Sequence, residues 1–204
     1  MREYPIEYIV WDLETTGLSH KNSNILEIGM SHVHGGEVLS SKSWLLKTRG
    51  NILPIITDIT GITTEEKNAE GQDQEKALEE FLGHISNSHA NVTHNGFKFD
   101  IPFLIGEVDK FGLYSKGDLA RLEDKLFTTG LDTAVMVKAD KLGMKQKYNE
   151  TFRTFAGRVN EIIRKGVKYN LKLSCEERGI EMGTAHRALG DVESTLKLYK
   201  SLTS

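Results

Sequence analysis

An α/β domain is the fold class that the residue pattern predicts, on three observations. Tyr8 to Leu13 is a near-continuous apolar run, as a central strand covered on both faces requires. Two further strand-like segments, 25–33 and 37–46, follow it, joined by His34-Gly35-Gly36-Glu37, a turn whose glycines permit positive φ. Beyond residue 74, helical spacing alternates with short strands.

Leu53 to Thr64 reads as irregular, with Pro54 and the loop-like ITGIT around Gly61. From Gln74 to Ile85 the apolar positions Ala77, Leu78, Phe81, Leu82 and Ile85 recur at helical spacing. Ala90 to His94 is a short strand, and Asp100-Ile101-Pro102 opens a helix with an acidic cap and an early proline. Phe127 to Leu131 reads as the fifth strand, leading into Asp132-Thr133, a second cap-like start. Residues 146–165 read as helical, 171–178 begin another helix, and Ala188 to Leu202 is a terminal helix. No repeat, low-complexity tract or linker divides the chain, so residues 1–204 are expected to form one domain.

Composition narrows the function classes. A chain of 204 residues suffices for a sizeable core, and 38% apolar with 27% charged residues is ordinary for a globular protein. No basic stretch precedes an apolar one at the N-terminus and no apolar run has the length of a membrane span, so a cytoplasmic, intracellular protein is expected. The single cysteine, Cys175, fits a reducing compartment and reads as a small core residue in a helix. A formal net charge of −3 argues against coating nucleic acid by bulk attraction, but not against gripping one end of a strand.

Four acids and a histidine carry the chemistry: Asp12 and Glu14 in VWDLETTGL, Asp100 in THNGFKFDIPFL, and His186 and Asp191 in AHRALGDVEST. Asp12 and Glu14 are two apart on a strand, so both leave one face. Asp100 opens a helix, where an aspartate alone is more often a cap than a ligand. His186 and Asp191 are five apart, about 140° of arc on a helix, so His186 must lie on a loop before the helix that presents Asp191. Carboxylates gathered in one cleft repel unless cations sit between them, and oxygen-only ligation suits Mg²⁺ or Mn²⁺. Two such ions are usual machinery for cutting phosphodiesters, with the histidine free to act as base.

In this order and with these neighbours, the three motifs resemble those of the DEDDh exonucleases, the RNase T-like family, from about Tyr8 to Leu202. The resemblance implies an RNase H-like mixed five-stranded sheet flanked by helices. It implies two Mg²⁺ (or Mn²⁺) per active site, one held by Asp12 and Asp191, the other by Asp12, Glu14 and Asp100. His186 would take the proton of the attacking water. Thr15, Thr16, Gly17 and Leu18 would meet the 3′ end, with Leu18 either a wedge against the terminal base or an ordinary anchoring leucine. Gly61 in ITGIT would contact terminal nucleotides, and Asn95 with Gly96 would shape the cleft. Phe99 and Phe103 are equally plausible as pocket or core, and Asp132 reads as a structural cap.

The activity implied is metal-dependent 3′→5′ exonuclease action that releases nucleoside 5′-monophosphates from single-stranded or frayed 3′ ends, with DNA preferred over RNA. An RNA-processing or oligoribonucleotide-degrading enzyme is the alternative, and a non-catalytic binding subunit is disfavoured because all five positions are filled. The partner is nucleic acid with a free 3′ end and not a membrane; a polymerase or a second copy stays open. Residues 141–168 depart from the compact pattern. Lys141, Lys145, Lys147, Arg153, Arg158, Arg164, Lys165 and Lys168, with Tyr148, Phe152 and Phe155 interleaved, suit either a strand-tracking surface or a solvated basic helix with its aromatics packed inward.

Overall fold

The computed structural model describes residues 5–183 and 187–204. Its centre is a five-stranded sheet in the order β3-β2-β1-β4-β5, built from β1 (Glu7–Thr15), β2 (Ile25–His34), β3 (Glu37–Leu45), β4 (Asn91–Thr93) and β5 (Gly130–Asp132). The first three strands are antiparallel neighbours, while β4 and β5 join parallel to β1, so the sheet is mixed as expected. Nine helices occur among the described residues: α1 (Pro54–Thr60), α2 (Thr64–Glu70), α3 (Gln74–Asn87), α4 (Asp100–Lys110), α5 (Lys116–Thr128), α6 (Thr133–Leu142), α7 (Phe152–Glu161), α8 (Leu171–Glu176) and α9 (Ala188–Thr203).

The two-residue period of β1 sorts its side chains into two cores. Ile9, Trp11 and Leu13 join Ile28, Met30 and Trp44 beneath α3, α4 and α5, with Phe81 of α3 against both tryptophan rings at 5.4 and 5.9 Å. Tyr8 and Val10 face the other way, onto Val192, Leu196 and Tyr199 of α9. The spacing 192, 196, 199 is one stripe of a helix, which is why α9 lies flat on that face. Phe103 is buried in the first core, and the half-buried Phe99 packs on it at 4.8 Å. Cys175 is buried with Val137 and Leu198, as expected of a small core residue.

Four expectations need correction. Leu53 to Thr64 is not irregular: Pro54 starts α1, Gly61 ends it in the left-handed region at φ 70°, and Thr63 caps α2 by accepting from Glu66 N–H. Helix α1 escaped the pattern because Ile55 and Ile59 face solvent. Helix α5 was not foreseen; Ser115 caps it and Leu119, Leu122 and Leu126 form its inner face, so Phe127 belongs to a helix and the fifth strand starts at Gly130. The stretch 146–165 holds only the ten-residue α7, because Asn149 (φ 59°) leaves helical geometry before it and Ile162 turns to extended backbone (ψ 119°) directly after it.

Within that stretch Phe152 and Phe155 pack inward, as the solvated-helix reading requires, while Tyr148 is exposed. Arg158 forks onto the Glu150 carboxylate at 2.6 and 2.8 Å, Arg153 pairs with Asp124 at 2.8 Å, and Lys141 with Glu177 at 2.6 Å. These three cations are committed to the protein's own acids.

Candidate active site

Asp12 and Glu14 continue the α9-facing side of β1 beyond Tyr8 and Val10, to the point where α9 begins. Asp191 stands in the first turn of α9. One carboxylate oxygen from each of Asp12, Glu14 and Asp191 lies within 4.8 Å of the others. The three come from residues 12, 14 and 191, so the sheet and the terminal helix build the site between them.

Asp100 stands beside this trio. Strand β4 ends at Thr93, while β1 runs on to Thr15, so the outward N–H groups at the end of β1 have no strand to meet. Ile9 N–H still reaches Ala90 C=O at 3.0 Å; Leu13 N–H, on the same edge, donates to Asp100 Oδ1 at 3.1 Å. The aspartate is only 3% exposed and is not the acidic cap expected: it lies in the first turn of α4, with Phe99 at the cap position and no side-chain cap bond, its carboxylate taken up by Leu13 N–H instead.

Crowding shows in the acidities. Burial, then the charges of Asp100, Asp191, Glu14 and Glu27, holds the Asp12 carboxyl well above the usual carboxylate range. Burial, then Asp191, Glu27 and Asp100, pushes Glu14 up to about 8. Burial is also the main cause that moves Asp100 up to about 7. Three acids whose ionisation is disfavoured, with Asp191 among them, offer hard oxygen donors from three directions, a donor set that fits divalent cations such as Mg²⁺ or Mn²⁺.

The start of α9 is fastened by residues that the motif analysis did not single out. Glu27 of β2, the cross-strand partner of Glu14, is 3% exposed and accepts from Arg187 Nε and Nη2, each at 3.1 Å. The same carboxylate takes Ala188 N–H at 3.1 Å and the Ser43 hydroxyl at 2.6 Å. Burial raises the Glu27 pKa, but these hydrogen bonds bring it below its ordinary value, so Glu27 is an anion at the helix N-terminus. Arg187 also reaches Glu66 of α2 at 3.1 Å. The available signals were a lone acid inside the apolar strand ILEIGM and an arginine adjoining the histidine motif.

The turn after Glu14 is folded on itself: Thr15 Oγ1 donates to Gly17 C=O, and Thr16 exchanges two 2.9 Å bonds with the Asn24 backbone. Lys110, itself paired with the buried Glu107, holds Asn24 Oδ1 at 2.6 Å. Leu18 projects from this turn 89% exposed, which overturns the anchoring-leucine alternative. Asn95 adopts φ 66°, and a Cβ at Gly96 would stand 2.2 Å from Thr93 Oγ1, so the HNG segment makes a turn that glycine alone fits. Asp132 caps α6 as expected and also accepts from Asn95 and Phe97 N–H at 2.8 and 3.2 Å, tying that segment to β5. His94 is a satisfied core histidine, bonded through both ring nitrogens to Thr133 and Tyr169. Gly61 sits at the exposed end of α1. His186, and Thr184 before it, lie outside the described residues.

A family model described as the RNase T exonuclease matches residues 9–199, and the chain belongs to that family. The PolC-type DNA polymerase III of Clostridium perfringens is 28% identical over 194 residues, 95% of this chain but 11% of the polymerase. That of Thermotoga maritima is 37% identical over 97 residues, 48% of this chain and 7% of the polymerase. The chain thus spans about a tenth of these relatives' length. Escherichia coli exonuclease I, solved in complex with a dT13 oligonucleotide, superposes with a TM-score of 0.74 at 17% identity, covering 98% of this chain and 41% of that one. At that identity the likeness establishes the shared RNase H-like fold. Among the described residues, no helix is long and apolar enough to cross a membrane.

Proposed function

We propose that this chain is a metal-dependent 3′→5′ exonuclease domain that removes nucleoside 5′-monophosphates one at a time from a single-stranded or frayed 3′ end of DNA. The observation that carries this reading is the convergence of Asp12, Glu14 and Asp191 within 4.8 Å, with the buried Asp100 alongside. Similarity to DNA polymerases, and to a nuclease solved with a DNA oligonucleotide, favours DNA and a setting beside or within a replicative polymerase.

Asp12, Glu14, Asp191 and Asp100 would hold two divalent cations, Mg²⁺ or Mn²⁺. When bound, these supply Lewis acidity and neutralise the charge of the scissile phosphate. Asp12, whose carboxyl feels the charges of Asp100, Asp191 and Glu14, would contribute to holding both ions. His186 takes the proton from the attacking water at an imidazole nitrogen, a role its reference pKa of about 6.5 suits near neutral pH. Leu18 covers the terminal base, the Thr15–Gly17 turn presents backbone to the 3′ end, and Gly61 with Asn95 borders the strand.

The test is incubation of the protein with matched, 5′-labelled DNA and RNA oligomers, with Mg²⁺ or with chelator. Shortening of DNA in single-nucleotide steps, dependent on Mg²⁺ and absent in Asp12→Asn and His186→Ala, is the expected result. Equal or faster RNA shortening moves the substrate to RNA. Binding without cleavage in Mg²⁺ and Mn²⁺ overturns the enzymatic reading.

A further inference from the structure

A groove opens beside the acid cluster, on the flank away from Leu18. In the parallel β1–β4 register Val10 stands opposite Val92. Both side chains face α9, so two residues further on Asp12 and His94 leave neighbouring strands on that same side. Past His94 lies a groove of about 560 Å³, with His94 and Asn95 on one side and residues 167–171 on the other. Its far wall is held in place: His94 Nε2 donates to Tyr169 C=O at 3.0 Å, Lys141 Nζ to Lys168 C=O at 2.6 Å, and Asn170 caps α8. The Leu18 turn joins β1 to β2, whereas the groove opens past β4. By sheet order, the acids of β1 therefore stand between the two.

The polar groups along this groove are unpaired. Asn95 holds φ 66°, its N–H bound to Asp132 and its C=O to the N–H groups of Lys98 and Phe99. Its side-chain amide has no partner among the described residues, and neither has the exposed Lys168 ammonium. Among the described residues that line the groove there is no Asp or Glu, and Val167, Tyr169 and Leu171 give it apolar surface. An amide, a cation and apolar surface together match the hydrogen-bonding edge, the phosphate and the base face of a nucleotide. Val167 and Lys168 belong to the stretch that departs from the compact pattern, so this wall is a feature of this chain.

We propose, resting on the exonuclease reading above, that this groove receives the nucleotide just 5′ of the scissile phosphate. The Asn95 amide meets its base edge, and Val167, Tyr169 and Leu171 lie against the base. Lys168 pairs with the phosphate on the far, 5′ side of that nucleotide. The strand then crosses the acids, from the groove to the Leu18 flank that takes the terminal nucleotide. A free dinucleotide lacks the outer phosphate, so Lys168 acts only on longer strands.

An abasic scan tests this by binding rather than cleavage. DNA octamers with one abasic site, at the first to the fourth nucleotide from the 3′ end, are titrated in Ca²⁺ and read by fluorescence anisotropy. The site at the second nucleotide should weaken binding by about 5- to 100-fold, the span of one lost base contact. Asn95→Gly removes the amide and suits the left-handed backbone, so it does not threaten the fold. In that variant the second-nucleotide site should cost about fivefold less, one hydrogen bond's share, with the costs at the first and fourth unchanged. Lys168→Gln should flatten the slope of log K against log salt by about 0.7 for the octamer and not for a dinucleotide. Coupling to Asn95 at the terminal nucleotide instead, equal coupling at every position, none at all, or no affinity for the octamer overturns the groove. Coupling at the second nucleotide in a protein that cleaves nothing in Mg²⁺ would withdraw the exonuclease reading alone.

Discussion

Gly29 and Ala188 meet with no room for a side chain between them: a Cβ on Gly29 would stand 2.5 Å from the Ala188 carbonyl carbon. Gly29 is the cross-strand partner of Asp12, and Ala188 is the first residue of the helix that carries Asp191. The missing Cβ thus lets the helix start close enough for Asp191 to join Asp12 and Glu14. Glu27, on the same strand, then fixes that start through Ala188 N–H and Arg187.

Gly29→Ala should therefore damage the site through the helix rather than through a ligand. Overpacking of this kind costs about 1–3 kcal/mol, and the backbone of α9 is what must yield. Both the melting temperature and the affinity for Mn²⁺ should fall, the second measured by paramagnetic resonance on the substrate-free protein. Lower stability with undiminished Mn²⁺ affinity would mean that Asp191 is placed independently of this contact.

Protonation of the acids gives a pH dependence with a definite sign. Carboxyls titrate near about 4 in an unfolded chain, whereas Glu14 is pushed up to about 8 and Asp100 up to about 7. The fold favours their neutral forms, so this stabilisation is fully present below about pH 4 and is lost as pH rises through 7 and 8. In chelator the melting temperature should decline from pH 5 to pH 8, and Asp191→Asn should flatten the decline, because Asp191 is the largest neighbouring charge on Glu14. Mg²⁺ should restore stability strongly at pH 8 and little at pH 5. A flat profile in chelator would remove the repulsion argument.

Leu18 tests the substrate side without disturbing the fold. At 89% exposure it contributes nothing to the core, so Leu18→Ala should leave stability within about 0.5 kcal/mol. If the side chain covers the terminal base, losing that contact should weaken 3′-end binding by about 1.5 kcal/mol, about tenfold. Fluorescence anisotropy with a labelled oligomer in Ca²⁺ reads it, provided Ca²⁺ supports binding without turnover. Unchanged affinity would return Leu18 to an incidental surface position.

Local signals carried most of the fold and the acid cluster, and long-range ones were silent. The alternation around Asp12 and Glu14 and the stripe along α9 are visible within a few residues, and both hold. Helix α5 was hidden because Leu119, Leu122 and Leu126 are thinly spread among charges and Phe127 looked like a strand residue. The overlong helix at 146–165 was drawn through Asn149 and Ile162, whose backbone conformations break it. Glu27 could not be assigned from sequence, since its partner Arg187 lies 160 residues away and one buried acid in an apolar strand gives no partner's name.

The basic segment offers the last test, and the ion pairs narrow it. Arg158, Arg153 and Lys141 already face Glu150, Asp124 and Glu177, leaving Lys145, Lys147, Arg164, Lys165 and Lys168 exposed, and the last four of these are the ones to change together. If these four touch phosphates, each should contribute about 0.7 to the slope of log K against log salt for single-stranded DNA. Their joint change to Gln should then weaken long oligomers and flatten that slope, while hydrolysis of a dinucleotide stays near wild type because no acid of the cluster is altered. Arg158→Gln, by contrast, should act on stability through Glu150, whose pKa is held at about 2 by the Arg158 hydrogen bond first and Lys147 N–H second. Equal losses for long and short substrates, or an unchanged slope in the fourfold variant, would reduce residues 141–168 to a solvated basic face packed on its aromatics.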